Sequence, residues 1–386
     1  MRRLLLVGNG LSIAAHAGFR LDTLSAAVAT RLEGELVGGQ TLRHRLQTIA
    51  TQLEADGQQS AHAGNFERLL GPLDRLRSVL STGLASTLAA VRPDLAVPIH
   101  EIGGEVTRLY TRGVGAVLSE IDALAVQANL QPVEVIARWA TGYLADDDQL
   151  SIYTLNYDPL LDRTLLDLAT TFHQNGVTNI NFRLADDFSG READKFEAML
   201  FPAGAPLVLH AQRSEALKRT RPVDLIHLHG GQHWVRLPSG LVYKSSSLND
   251  LRNAHVYEKW THGDPVDASP AVVLTDQKGK TVSDSPFVEG YRHLRHDLTL
   301  ADRVAIVGYG FGDVPLNEVL ADGLAHAPVG GRWLVNRRPG ARPDEETEAR
   351  IETANALGVD PGDCPAIVFQ DLPGITQTNA AFYTAA

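Results

Sequence analysis

The tightest constraint on this chain is a local pattern that recurs along it. A short apolar run, long enough for one strand, ends in a glycine-containing or polar turn and is often followed by a helical stretch. Met1–Val7 ends in Gly8-Asn9-Gly10 and leads into a helix over Leu11–Ala17. Leu150–Leu155 ends in Asn156-Tyr157-Asp158 before a helix over Leu160–Leu168, and Val223–Leu228 ends in His229-Gly230-Gly231. Arg303–Val307 ends in Gly308-Tyr309-Gly310 before Leu316–Leu324, Arg332–Val335 ends in Asn336, and Ala366–Phe369 supplies a last strand. Continuous apolar strands alternating with helices predict a mostly parallel sheet covered on both faces, a doubly wound α/β fold. Ligands of such sheets bind beyond the carboxyl ends of the strands, so the polar turns are expected to converge on one crevice.

Two stretches depart from the pattern. Residues 40–146 read as a helical insertion. Thr41–Leu53, Phe66–Val91, Val106–Ala128 and Val133–Tyr143 carry apolar residues at helical spacing, with Pro93, Pro98 and Pro132 between them. Residues 183–285 are irregular, with a small β excursion expected at Trp234–Leu237 and Leu241–Tyr243 around Pro238-Ser239-Gly240. The whole of 1–386 otherwise reads as one domain.

Bulk properties exclude several classes. A net charge of −11 argues against broad electrostatic binding of nucleic acid. No apolar run approaches the roughly 18 residues of a membrane span. Met1–Val7 is too short for the core of a signal peptide. One cysteine, Cys364, allows neither an internal disulfide nor a multi-cysteine metal site, and the expected location is the cytoplasm.

The turns carry the candidate chemistry. In Gly8-Asn9-Gly10-Leu11-Ser12 the glycines allow backbone N–H groups to approach a phosphate at a helix N-terminus, although Ile13 stands where a dinucleotide fingerprint has its third glycine. A purely structural turn fits those residues equally well. Asp158 reads either as a helix cap before Pro159 or as a ligand contact, and the Asn156 amide suits a water or a ribose hydroxyl. His227, His229 and His233 form the densest ionisable cluster. His227 and His229 are two apart on a strand and so are expected to share one of its faces. One reading is a metal site; the other is a single general base, His229, beside a glycine that leaves room for substrate, with His227 packed.

Taken in order, Gly8-Asn9-Gly10-Leu11-Ser12, Thr154-Leu155-Asn156-Tyr157-Asp158, Leu228-His229-Gly230, Gly308-Tyr309-Gly310 and Val335-Asn336 resemble the motifs of sirtuins. The variants, especially Asn-Tyr-Asp and Leu-His-Gly-x-x-His-Trp, look most like the bacterial sirtuin-like NADases of anti-phage defence. The resemblance implies a Rossmann-like, sirtuin-like sheet and NAD+ as substrate. By position it makes Asn156 and His229 catalytic. It sets Ser12 and Asp158 at the nicotinamide ribose and carboxamide, and Gly8, Gly10 and Gly308 along the phosphates. Asn9 and Gly310 fall in the same cofactor-binding turns, and Asn336 at the adenosine ribose. Gly310 replaces a serine common in the family. The four zinc-binding cysteines of deacylating sirtuins cannot be assembled from one, so no zinc module is expected, and deacylation is put in doubt while NAD+ cleavage is not.

The expected reaction is hydrolysis of the nicotinamide–ribose bond to nicotinamide and ADP-ribose, with Asn156 placing water or ribose hydroxyls and His229 as base. The resemblance further implies a HerA-type ATPase partner, and an NADase that would deplete its own cell is expected to be gated by that partner or by homo-oligomerisation; the helical insertion reads equally as a subunit contact surface or as a helical layer covering one sheet face. Two rivals stand beside it: a metal-dependent hydrolase built on His227, His229 and His233, and a non-catalytic subunit that senses NAD or ADP-ribose.

Overall fold

The structure, a computed structural model, describes residues 1–53, 65–81, 83–142, 144, 148–174, 184–186, 195–198, 207–211, 223–245, 248–274, 286–327, 332–338 and 343–370. Much of the irregular 183–285 stretch therefore lies outside the described residues.

From β1 (Arg2–Val7) the chain passes through α1 (Gly10–Ala15), α2 (Leu21–Gly34) and the short pair β2 (Leu36–Val37) and β3 (Gln40–Thr41). It continues into α3 (Leu42–Leu53), α4 (Phe66–Ser81), α5 (Gly83–Val91), α6 (Ala96–Gln127) and α7 (Gln131–Thr141). There follow β4 (Gln149–Thr154), α8 (Leu160–Gln174), β5 (Leu184–Asp186), β6 (Lys195–Ala198), β7 (Leu207–Ala211), β8 (Val223–His227), β9 (Gly230–Arg236) and β10 (Val242–Ser245). The chain closes with α9 (Leu248–Asn253), α10 (Val256–His262), β11 (Ser269–Val272), α11 (Phe287–Leu298), β12 (Arg303–Val307), α12 (Val314–Ala325), β13 (Arg332–Arg337), α13 (Pro343–Leu357) and β14 (Ala366–Phe369).

Seven strands form one sheet in the order β14-β13-β12-β1-β4-β8-β5, every pairing parallel. Alternate residues of each strand feed the two faces. Leu5, Val7, Ile152, Leu225 and Ala305 belong to one core with Leu11, Val28, Val114, Ile136 and Leu165. Leu4, Leu6, Tyr153, Ile226 and Ile306 belong to the other with Leu294, Leu316, Leu320 and Leu357. This is the doubly wound, Rossmann-like α/β class, and full burial of leucines such as Leu4, Leu5 and Leu6 contributes about 1.5–3 kcal/mol each. After β4 the chain builds toward one edge, and β12, β13 and β14 extend the other, so the order reverses between β1 and β12. The crevice expected of such a sheet opens at that switch point.

The helical layer between β1 and β4 begins earlier than the sequence pattern indicates. Helix α2 buries only Leu24, Ser25, Val28 and Leu32, and the alanines around them blur its apolar stripe. Pro98 and Pro132 lie in the first turns of α6 and α7 rather than between helices. The backbone nitrogens there have no helical acceptor, so proline forfeits nothing. Strands from both sides of β8 in the chain form a separate five-stranded antiparallel sheet, β11-β9-β10-β7-β6, of which the expected hairpin is the β9–β10 pair turning at Gly240.

Candidate active site

A cavity of about 1260 Å³ lies over the carboxyl ends of the parallel strands. Its walls include Asn9 and Gly10 after β1, Asn156 and Asp158 after β4, and His229 after β8. Gly308, Gly310 and Asp313 follow β12 along the same wall, and Asn336, Arg337 and Arg338 come from the end of β13. Those contributors run from β8 to β13, four interstrand steps or roughly 19 Å of sheet. That length suits a ligand of dinucleotide size.

At the β4 end a short hydrogen-bonded chain fixes the amide. Asn156 Nδ2 donates to Ser12 Oγ at 2.8 Å, and Ser12 Oγ donates to Asp158 Oδ2 at 2.6 Å. The direction follows from chemistry. An ionised carboxylate only accepts, so the hydroxyl gives it the proton and takes one from the amide nitrogen. Asn156 is buried, and its Oδ1 has no hydrogen-bond partner among the described residues. A buried, unmet acceptor on the wall of a cavity is the position a ligand hydroxyl or a water would fill. Asp158 also caps α8, its Oδ1 accepting from the Leu160 nitrogen at 3.1 Å, so the cap and the polar chain use different oxygens of one carboxylate. Burial pushes the Asp158 carboxyl up, opposed by its hydrogen bond from Ser12. Ser12 itself is not exposed to the cavity and acts between the other two.

His229 stands at the neighbouring strand end. Its Nε2 lies 3.1 Å from the Tyr291 hydroxyl and 3.1 Å from Asp313 Oδ2. The Tyr157 ring stacks against it with centroids 6.4 Å apart. Tyr157 follows Asn156 directly, so the amide and the imidazole flank one piece of the cavity wall. Both phenols are held well above the usual tyrosine value, first by burial and then by nearby carboxylates, and remain neutral.

Asp313 is also the N-cap of α12, its Oδ1 accepting from the Leu316 nitrogen at 3.0 Å. Its partnership with His229 joins strand ends far apart in the chain, and no local pattern encodes it. The loop before it contains Phe311 in the left-handed region at φ 58°, a strained conformation for a residue with a side chain.

The glycines have a packing role of their own. Gly10 N donates to Gly308 O at 2.8 Å and Gly8 N to Val307 O at 2.9 Å, so the turns after β1 and β12 lie against each other. A Cβ on Gly8 would come within 2.6 Å of Gly308 O, and one on Gly10 within 2.7 Å of Gly308 Cα. Gly308 has φ +65°. Gly310 borders open space, and Gly8 is outside the cavity wall. Asn9 and Asn336 both spend amide protons on backbone carbonyls, Asn9 on Phe19 and Asn336 on Val368 and Gln370.

The three histidines do not form one cluster. The strand ends at His227, and the chain turns through Leu228 and His229 into Gly230 at φ +76°, so the two-residue alternation stops there. His227 and His233 lie with Asp162, whereas His229 lies with Tyr157, Tyr291 and Asp313. Cavity residues that had no sequence signal include Arg20, Glu67, Arg337 and Arg338.

No protein-family model matches the chain, and no curated protein matches it. Its path is similar to those of several solved structures. One is Sir2Tm bound to a propionylated peptide, at 10% identity, 98% of this chain and 92% of that one, with a TM-score of 0.39. Another is a Sir2 mutant with a p53 peptide and NAD, at 11% identity, 97% and 90% coverage, and a TM-score of 0.37. The fold shown here is an α/β doubly wound parallel sheet with its polar strand ends gathered over one cavity.

Proposed function

We propose that the chain is a hydrolase that binds NAD+ in this cavity and cleaves the bond between nicotinamide and ribose. The observation that carries the reading is the Asn156 amide, held by Ser12 and Asp158 with an unmet buried oxygen, on the same cavity wall as the His229–Asp313 pair. The C1′–N bond breaks with its electron pair passing to the pyridinium nitrogen, so nicotinamide leaves neutral and positive charge develops on the ribose. A water oxygen bonds to C1′, and its proton goes to the His229 imidazole and then to solvent. The sum is NAD+ plus water to nicotinamide, ADP-ribose and a proton.

Charge supports the orientation. Asp158, Asp313 and Glu67 border the end with His229, suited to a cationic nicotinamide ring and to the charge that grows on the ribose. Arg337 and Arg338 border the other end, beyond the paired glycine turns, suited to the anionic part of the dinucleotide.

The order of the sirtuin motifs supports a setting for this activity: an anti-phage effector that depletes cytoplasmic NAD+ once activated. We place it in a homo-oligomer, with a HerA-type ATPase as partner and the helical layer of 40–146 as the contact surface. Mass photometry of the chain alone, with that segment deleted, and with its partner tests the assembly. No helix among the described residues is long and apolar enough to cross a membrane.

The activity is tested by chromatography of NAD+ incubated with the purified chain, alone and with the ATPase. Equimolar nicotinamide and ADP-ribose are expected. Tight binding of NAD+ with no release under either condition would instead make the chain a sensor.

A further inference from the structure

Behind Asn156, outside the cavity wall, lies a second buried polar group. His227, the last residue of β8, approaches the Asn156 carbonyl oxygen through Nδ1 at 3.3 Å and Asp162 Oδ2 through Nε2 at 2.9 Å. Asp162, in the first turn of α8, accepts from Lys244 Nζ of β10 at 3.2 Å. His233 of β9 faces the same carboxylate, its Nε2 3.8 Å from Oδ1. His227, His233 and Asp162 are all buried.

The donor inventory decides the state of His227. Both atoms it faces are oxygens that only accept, a carbonyl and a carboxylate. A neutral imidazole has one N–H and would leave one of its nitrogens lone pair to lone pair; the imidazolium fills both contacts. The pKa directions agree. Burial, the largest influence, lowers His227, but Asp162 outweighs it and the net shift is upward. Burial likewise raises Asp162, and His227 and Lys244 overcome it, holding the carboxyl well below the usual range.

We propose that Lys244, Asp162 and His227 form a positioning chain that fixes the Asn156 backbone, and through it the amide that meets the ribose. The proposal rests on the reading of Asn156 as catalytic. It reaches from the antiparallel sheet, through α8 and β8, to the candidate centre, and none of its three members lines the cavity. Asp162, His227 and His233 also bring potential ligand atoms within 4.8 Å of one another, the spacing of a metal site. Here, however, the Lys244 ammonium and the His227 ring already hold one oxygen each of Asp162, so a divalent ion would have to displace both.

Asp162→Asn tests this without removing an atom of the framework. The neutral side chain no longer sustains the imidazolium, and His227 then loses its bond to either the Asn156 carbonyl or position 162. Nicotinamide release from NAD+ is expected to slow about ten- to hundredfold, the effect of losing one charge-assisted hydrogen bond. Affinity for ADP-ribose should stay within about twofold, because the cavity wall is unchanged. Lys244→Arg should restore near-normal turnover where Lys244→Met does not. An Asp162→Asn variant as fast as wild type overturns the proposal, as does a stoichiometric zinc or manganese ion in the purified protein whose removal stops turnover. A matched loss of turnover and ADP-ribose affinity also overturns it, since that marks a general structural role. Wild-type protein that binds ADP-ribose but never releases nicotinamide defeats the reading of the reaction itself, and the positioning role with it.

Discussion

Asp313 divides its carboxylate between two tasks, one oxygen capping α12 at Leu316 and the other 3.1 Å from His229 Nε2. Helix start and imidazole are thus tied to one side chain. The two tasks separate under substitution, because asparagine caps a helix about as well as aspartate but carries no charge. Asp313→Asn is expected to keep the melting temperature and to lower nicotinamide release by about a hundredfold, since general-base help is worth roughly 10²–10⁴-fold. Asp313→Ala should match that loss and in addition cost about 1 kcal/mol of stability, read by denaturant titration.

The glycine turns make opposite predictions at two positions separated by one residue. Gly308→Ala places a Cβ 2.9 Å from the Leu11 nitrogen at φ +65°, and should cost more than about 1–2 kcal/mol. Gly310→Ala meets open space and should change stability by less than about 0.5 kcal/mol. Because Gly310 lines the cavity, its variant should still weaken ADP-ribose binding, measured by calorimetry.

Ser12 links two buried groups and makes no cavity contact. Ser12→Ala leaves the Asn156 amide without its acceptor and removes a donor from Asp158. We expect a stability loss of about 1–3 kcal/mol by chemical denaturation, with turnover falling in parallel.

The Asp162–His227 pair gives stability a defined pH window. His227 is raised above its ordinary 6.5, so its contribution is complete below that value and is lost as pH rises through the elevated one. Asp162 is lowered well below 3.8, so its contribution is present above that value and is lost as pH falls through the depressed one. The stability difference between wild type and Asp162→Asn should therefore be widest between about pH 4 and 6.5 and narrow on both sides. A difference flat from pH 4 to 9 in denaturant titrations would contradict the pairing.

Much of this fold is written locally. The apolar runs Leu4–Val7 and Val304–Val307 are legible because a strand buried on both faces needs no alternation. The turns that end them are legible because glycine and short polar residues stop strands there. Asn156 and His229 were readable as strand-end residues, and the structure brings both to one cavity wall. What was not legible depends on pairing at a distance. Asp313 looks like any helix cap until β12 is set beside β1, and Tyr291 sits mid-helix with nothing in its neighbours to mark it. The separation of His229 from His227 depends on the chain leaving the sheet one residue after His227. A two-residue rule cannot foresee that.

The central claim is that Asn156 and His229 act on one glycosidic bond, and a double-mutant cycle on nicotinamide release tests it most directly. Groups that act as a unit are strongly non-additive. Asn156→Ala and His229→Ala should each slow release from NAD+ by at least about a hundredfold, and the double variant should be little slower than the worse of the two. Either single variant running at the wild-type rate, or two losses that multiply in full, would contradict the account.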